Sequence, residues 1–226
     1  EVLVRIQRDG TTPGGGIRAQ PAAAKSIAVL PFANMSNDPE NEYFSDGMTE
    51  EILNALATVP DVQVASRTSC FAFKGKEIDI REVGERLKVD AVLEGSVRKA
   101  GDRIRIIVKL VSVESGYPLW SERYDRQIHD IFEIQDEISQ SIVDKMKVAR
   151  PTIIAPRFTA AVRGNVRAYE QYLKGRYYWN KRTEDNFKRS VDHFQLALKE
   201  DPDYFNRVRA FAALQLTDEE LKEWTR

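Results

Sequence analysis

Two histidines, one cysteine and a run of carboxylates are the residues of this chain best suited to chemistry, and their spacing limits what they can do. His129 stands just before one helical pattern and His193 inside another, and neither has carboxylate or sulfur partners at metal-ligand spacing. Exposed or capping roles are expected for both. Ser66, Ser69 and Cys70 lie outside any Gly-x-Ser-x-Gly arrangement, so no Ser/Cys–His–acid machinery is expected, and Cys70 beside Phe71 reads as a small buried side chain. Gly14 to Gly16 and Lys74-Gly75-Lys76 lack the Gly-x4-Gly-Lys-Ser/Thr spacing that lets backbone N–H groups wrap a phosphate. The sequence therefore suggests no catalytic residue, no metal and no cofactor.

Asp38, Glu40, Glu42, Asp46, Glu50 and Glu51 gather around the start of a helical pattern. Acids favour helix N-termini through the macrodipole, and no calcium-loop spacing is present, so a solvated acidic face is expected. Tyr172, Tyr177, Tyr178 and Trp179 are the candidate partner-binding residues, because Tyr and Trp are favoured at interfaces. The same spacing also suits packing between two helices. Arg98, Arg103, Arg105 and Lys109 fall on the polar side of a hairpin and read as a wet sheet face.

Those candidates are carried by alternating patterns along the chain. The opening 1–24, with Gly14 to Gly16 and Ala22 to Ala24, reads as linker and the whole as a piece of a longer protein. Ile27 to Leu30 form a buried strand ended by Pro31. Phe44, Met48, Ile52, Ala55, Leu56 and Val59 recur at helical spacing, Val62 and Val64 form a short strand, and Ile80, Val83 and Leu87 mark a second helix. Ala91 to Arg98 and Arg103 to Val113, joined by Ala100-Gly101-Asp102, make an antiparallel hairpin, since Ile104, Ile106, Val108 and Leu110 alternate with polar residues. Leu119 to Asp125 is a last strand with Trp120 and Tyr124 on one face, under a helix running from about Asp130 to Met146. After a connector at 149–167 the pattern is purely helical: Ala168 to Lys181, then Thr183 to Glu200, stopped by Asp201-Pro202. The fold class is thus α/β (α+β), a mixed sheet covered by helices over 25–148, followed by an all-α helical hairpin at 168–204 and remnant helices at 205–226 with a capping signal at Thr217 to Glu220.

Composition agrees with a globular chain. Of 226 residues, 42% are hydrophobic and 31% charged, and 34 Lys and Arg nearly balance 35 Asp and Glu. Nucleic acid is a poor first partner for so balanced a charge. No run of about 18 apolar residues is present, so direct membrane insertion is not expected of this stretch. One cysteine excludes an internal disulfide framework without fixing the compartment.

The segments Ser26-Ile-Ala-Val-Leu-Pro-Phe32, Glu42-Tyr-Phe-Ser-Asp-Gly-Met-Thr-Glu-Glu-Ile52, Ala65-Ser-Arg-Thr-Ser69, Phe71-Ala-Phe-Lys-Gly75, Val92-Leu-Glu-Gly-Ser-Val-Arg98, Leu119-Trp-Ser-Glu-Arg-Tyr-Asp125 and Ile134-Gln-Asp-Glu-Ile138 together resemble the TolB-type amino-terminal domain (FlgO/TolB-like). The resemblance implies a domain found C-terminal to bacterial protein kinases, nucleotide cyclases or winged-helix regulators, often across a membrane helix. Tyr172-Leu-Lys-Gly-Arg-Tyr-Tyr-Trp179 with Phe194, Ala197 and Pro202 resembles one tetratricopeptide repeat (TPR). Gly175 and Pro202 stand 27 residues apart, longer than the common pattern, which suggests a lengthened turn near Lys181 to Asp185. Ser190 holds a position usually occupied by Ala. About three repeats are needed for a stable array, so a lone one must lean on the α/β domain or on sequence beyond the chain.

The function implied is a non-catalytic protein-interaction or regulatory module that meets an unidentified protein partner. The alternative is a small-ligand sensor controlling an absent kinase, cyclase or DNA-binding domain. The location implied is the periplasmic or extracytoplasmic side of a membrane-anchored parent, with the cytoplasm as the other possibility.

Overall fold

A computed structural model describes residues 25–146 and 165–204. The opening linker, most of the connector and the stretch after Tyr204, including Thr217 to Glu220, lie outside the described residues. The apolar run at the start becomes β1 (Lys25–Val29), which is followed by a two-residue strand, β2 (Ala33–Asn34), and α1 (Glu42–Leu56). Next come β3 (Val62–Val64), a short α2 (Arg67–Phe71) and α3 (Ile80–Leu87). Three long strands, β4 (Ala91–Ala100), β5 (Arg103–Ser112) and β6 (Pro118–Gln127), lead to α4 (Ile131–Lys145).

The strand order is β3-β1-β4-β5-β6, with β2 also paired to β4. β1 runs parallel to both β3 and β4, whereas β4, β5 and β6 are antiparallel, so the sheet is mixed. Register follows from the alternation in β5. Ile106 pairs with Val97 and Leu110 with Leu93, which puts their apolar side chains on one face, and Gly101, at φ 58°, closes the β4–β5 turn. Ile104, Ile106, Val108 and Leu110 are fully buried while Arg103, Arg105 and Lys109 stay in water. Removing each such Ile or Leu from water contributes about 2 kcal/mol.

α1 packs on β1 to β4 and on α4, while α2 and α3 pack on β1 and β4. Tyr124 is buried and Trp120, on the same strand, only half-buried, so the pair expected under the last helix is covered unequally. α2 has no counterpart in the sequence reading. Ser66 caps it by accepting from the Ser69 amide at 3.2 Å, but five residues are too short to show a period.

The helical hairpin consists of α5 (Val166–Asn180) and α6 (Glu184–Glu200). Asn165 caps α5, and its Nδ2 donates to the Glu200 carbonyl at 2.8 Å, tying the start of one helix to the end of the other. Thr183 caps α6. The lengthened turn expected near Lys181 to Asp185 is not there. Only Lys181 to Thr183 separate the helices, with Arg182 at φ 55°, and the additional length is taken up by the 17 residues of α6. Close approach explains two small residues: a Cβ on Gly175 would sit 2.5 Å from the Phe194 ring, and the Ser190 hydroxyl donates to the Gly175 carbonyl at 2.8 Å.

Candidate functional site

The hairpin does not stand apart from the sheet domain, because α5 lies against α1. A Cβ on Gly47 of α1 would come within 2.7 Å of a Leu173 methyl of α5, so glycine at that point sets how near the two helices come. Tyr169, fully buried, meets Phe132 of α4 edge-on at 4.8 Å, and its hydroxyl accepts from Gln135 Nε2 at 2.6 Å.

At the centre of this contact the Arg176 guanidinium donates from Nη1 to Glu51 and from Nη2 to Glu50. All three are withdrawn from water, at 5%, 8% and 4% exposure respectively. Glu50 also accepts from Arg67 Nε at 2.5 Å and from Asn180 Nδ2 at 3.1 Å. Burial alone would lower the Arg176 pKa, but the facing carboxylates hold it well above its ordinary value, so the group stays charged. One turn earlier, Asp46 is bound by Lys74 at 2.6 Å, and Lys74 reaches Glu42 at 2.7 Å. Burial raises the Asp46 carboxyl to about 6 against the opposing Lys74 hydrogen bond.

These contacts correct the expectation of a solvated acidic face. Asp46, Glu50 and Glu51 are buried, since α5 and the α2 region cover the side of α1 that the sequence leaves polar. Carboxylates withdrawn from water need partners, and the basic residues supply them.

Beside this contact a cleft of about 500 Å³ opens between the 3-10 turn Pro39–Asn41 and the two hairpin helices. Tyr177 and Tyr178, at 5.5 Å and edge-on to each other, line its helical side together with Lys174, Lys181, Arg189 and His193. Lys181 lies over the Tyr177 ring at 4.3 Å and Arg189 over Tyr178 at 5.7 Å. His193 stacks on Tyr178 at 5.3 Å with an interplanar angle of 3°, and its Nδ1 is 2.7 Å from Gln171 Oε1. Its burial, then the charges of Lys174 and Arg189, lower its pKa, which favours the neutral ring. Asp38 and Glu40 stand on the other lip, while Glu170 is held by Lys99 at 3.0 Å and Tyr43 at 3.2 Å.

Of the four aromatic candidates, the structure brings two into the cleft. Tyr172 and Trp179 are buried in the hairpin packing, the former near Phe194 and Tyr204, each at 6.0 Å, and the latter near Phe187 at 5.0 Å. The sequence reading missed Lys174, Lys181, Arg189 and Arg176. Lys174, Tyr177, Tyr178 and Lys181 recur at helical spacing, a one-face signal that could have found the first two. His193 is neither a cap nor an exposed ring, whereas His129 is exposed beside Asp130. On the outer sheet face Arg103 and Arg105 both pair with Asp125, at 3.0 and 2.5 Å. Among the described residues, no group of three or more His, Cys, Asp or Glu could hold a metal, and no helix is long and apolar enough to cross a membrane.

A family model described as the second domain of HilA/YgeH-like transcriptional regulators matches residues 23–142. A Rhizobium meliloti (strain 1021) protein named "Putative adenylate cyclase 3" is 52% identical over 126 residues, which are 56% of this chain and 22% of that protein. The chain thus spans about a fifth of the length of that relative. Solved structures similar to it include TolB from Acinetobacter baumannii, at 17% identity and a TM-score of 0.42, covering 56% of this chain and 29% of TolB. The LpoB C-terminal domain from Escherichia coli is 19% identical with a TM-score of 0.37, covering 49% of this chain and 89% of that one.

Proposed function

The chain belongs to the family of the second domain of HilA/YgeH-like transcriptional regulators, and from that premise we propose that it is a non-catalytic regulatory module presenting its helical hairpin and junction cleft to a partner protein. The buried Glu50–Arg176–Glu51 contact supports this reading most. Packed side chains and ion-pair networks that join a recognition surface to the body carrying it are one physical route by which occupancy can be passed on. Here the helix that lines the cleft is the same helix that is locked onto α1. The 52% identical stretch in a much longer protein whose printed name is that of a cyclase supports a transferable unit carried beside an effector domain.

The second reading, a small-ligand sensor, draws on the same cleft, which lies where sheet domain and helices meet. Its volume falls in the range of small-molecule sites, about 300–1,000 Å³. Cross-linked capture from an envelope extract, with the full chain as bait and its Tyr178→Ala variant beside it, separates the two. A discrete protein held by the first bait and lost from the second is the outcome expected. If neither bait enriches a protein while a metabolite fraction raises the melting temperature, the sensor reading replaces the interaction reading. A membrane-impermeant cross-linker used on intact cells also tests the extracytoplasmic setting, since capture by a permeant reagent alone moves the module to the cytoplasm.

A further inference from the structure

The cleft has a charge pattern that specifies its occupant. Among the described residues Lys174, Lys181 and Arg189 form no ion pair, although all three line one side of it. Each lies over an aromatic ring: Lys174 over Tyr43 at 5.0 Å, Lys181 over Tyr177 and Tyr178, and Arg189 over Tyr178. By contrast Lys74, Lys99, Arg67, Arg103, Arg105 and Arg176 all have carboxylate partners. Three unneutralised cations beside a tyrosine pair and a half-buried imidazole make a local positive field on a chain whose overall charge is close to zero. The opposite lip carries Asp38 and Glu40.

We propose that this cleft docks an acidic peptide segment of a partner protein, with its carboxylates over Lys174, Lys181 and Arg189 and an apolar or aromatic side chain against Tyr177 and Tyr178. The proposal rests on the interaction reading above and names the partner's chemistry. Exposure favours a peptide over a small anion. Lys181 and Arg189 are exposed and Lys174, Tyr177 and Tyr178 half-buried, whereas small-molecule sites bury about 70–90% of their ligand. An extended chain can span from the lysines toward Asp38 and Glu40, where a basic or polar residue suits the reversed sign.

The test is fluorescence anisotropy with the full chain and a short fluorescein-labelled peptide of Glu, Phe and Ser, beside its counterpart with Lys for Glu. The Glu peptide should bind with an affinity that falls as salt rises, and the Lys peptide should not bind. The double variant Lys181→Glu with Arg189→Glu should weaken binding at least about tenfold, since two like-charge contacts replace two attractive ones. Both side chains are exposed and outside any ion pair among the described residues, so the fold should survive. Arg98→Glu with Arg123→Glu, the same charge change on exposed strand positions away from the cleft, should leave binding unchanged. No binding of the Glu peptide, an equal loss in both double variants, or binding of free citrate as tight as that of the peptide would overturn the proposal. Captured partner that persists through the Lys181→Glu, Arg189→Glu change would also overturn this site while leaving the interaction reading standing; absence of any captured partner would remove that reading instead.

Discussion

Replacing Arg176 by Ala removes the one residue that closes the centre of the α1–α5 contact. Among the described residues Glu51, at 8% exposure, then has no hydrogen-bond partner, while Glu50 keeps Arg67 and Asn180. Breaking a buried pair by deleting one member costs about 3–5 kcal/mol, because the remaining charge is left uncompensated. The retained partners of Glu50 point to the lower half of that range. Urea denaturation of wild-type and variant, followed by far-ultraviolet circular dichroism at pH 7, reads the difference as a shift in midpoint at constant slope. Arg176→Lys should recover only part of it, since one ammonium cannot meet two carboxylates as the planar fork does. Arg176→Met combined with Glu50→Gln and Glu51→Gln should cost less than Arg176→Ala alone, as both buried carboxylates are neutralised with it and only the half-buried Arg67 loses its ion-pair partner. A cost below about 1 kcal/mol for Arg176→Ala, the value of a solvated surface pair, would refute the claim that this contact locks the hairpin to the sheet domain.

Further perturbations read other parts of the account. Asp46 has a folded pKa of about 6 against an ordinary value of 3.8, so the folded state binds the extra proton between those values and its contribution is present below about pH 4. That contribution, on the order of 2–3 kcal/mol, is lost as pH rises through 6, and Asp46→Asn should flatten the slope of urea midpoint against pH in that window. Gly175→Ala gains helix propensity of about 1 kcal/mol but drives a methyl into the Phe194 ring at 2.5 Å, so a net loss of about 1–2 kcal/mol is expected in thermal melts. Tyr169→Phe should cost about 1–2 kcal/mol, since the buried Gln135 amide then keeps only its weak bond to Met48 Sδ at 3.4 Å. Tyr172→Ala should destabilise by about 3–5 kcal/mol, whereas Tyr178→Ala should leave the melting temperature within a few degrees and abolish partner capture.

The fold was legible wherever a single period governs a long element. The alternation of Ile104, Ile106, Val108 and Leu110 gave β5 and its wet face, and the recurrence of Phe44, Met48, Ile52 and Leu56 gave α1. The helical hairpin was expected to lean on the α/β domain or on sequence beyond the chain, and α5 lies on α1. Elements of two or five residues, β2 and α2, carry no period and were not seen. The candidate site was harder to read. Glu50 and Arg176 are 126 residues apart, and no local pattern tells a solvated carboxylate from one that a distant guanidinium will cover. A still longer stretch of chain separates Asp38 and Glu40 from Tyr177 and Tyr178, so the aromatics stand out as candidates in the sequence but the cleft they share with the first 3-10 turn does not. The 27-residue spacing from Gly175 to Pro202 does not say by itself whether a turn or a helix holds the extra length, and the helical sequence after Thr183 absorbs it.

Hydrogen exchange of the full chain, alone and with its captured partner bound, tests the central claim most directly. If the module recognises its partner at the junction, protection should rise together at Asp38–Asn41, along Lys174–Lys181 and around Arg189–His193, and should extend into α1 through the Arg176 contact. Protection confined to the outer faces of β4, β5 and β6, with the hairpin unchanged, would contradict it.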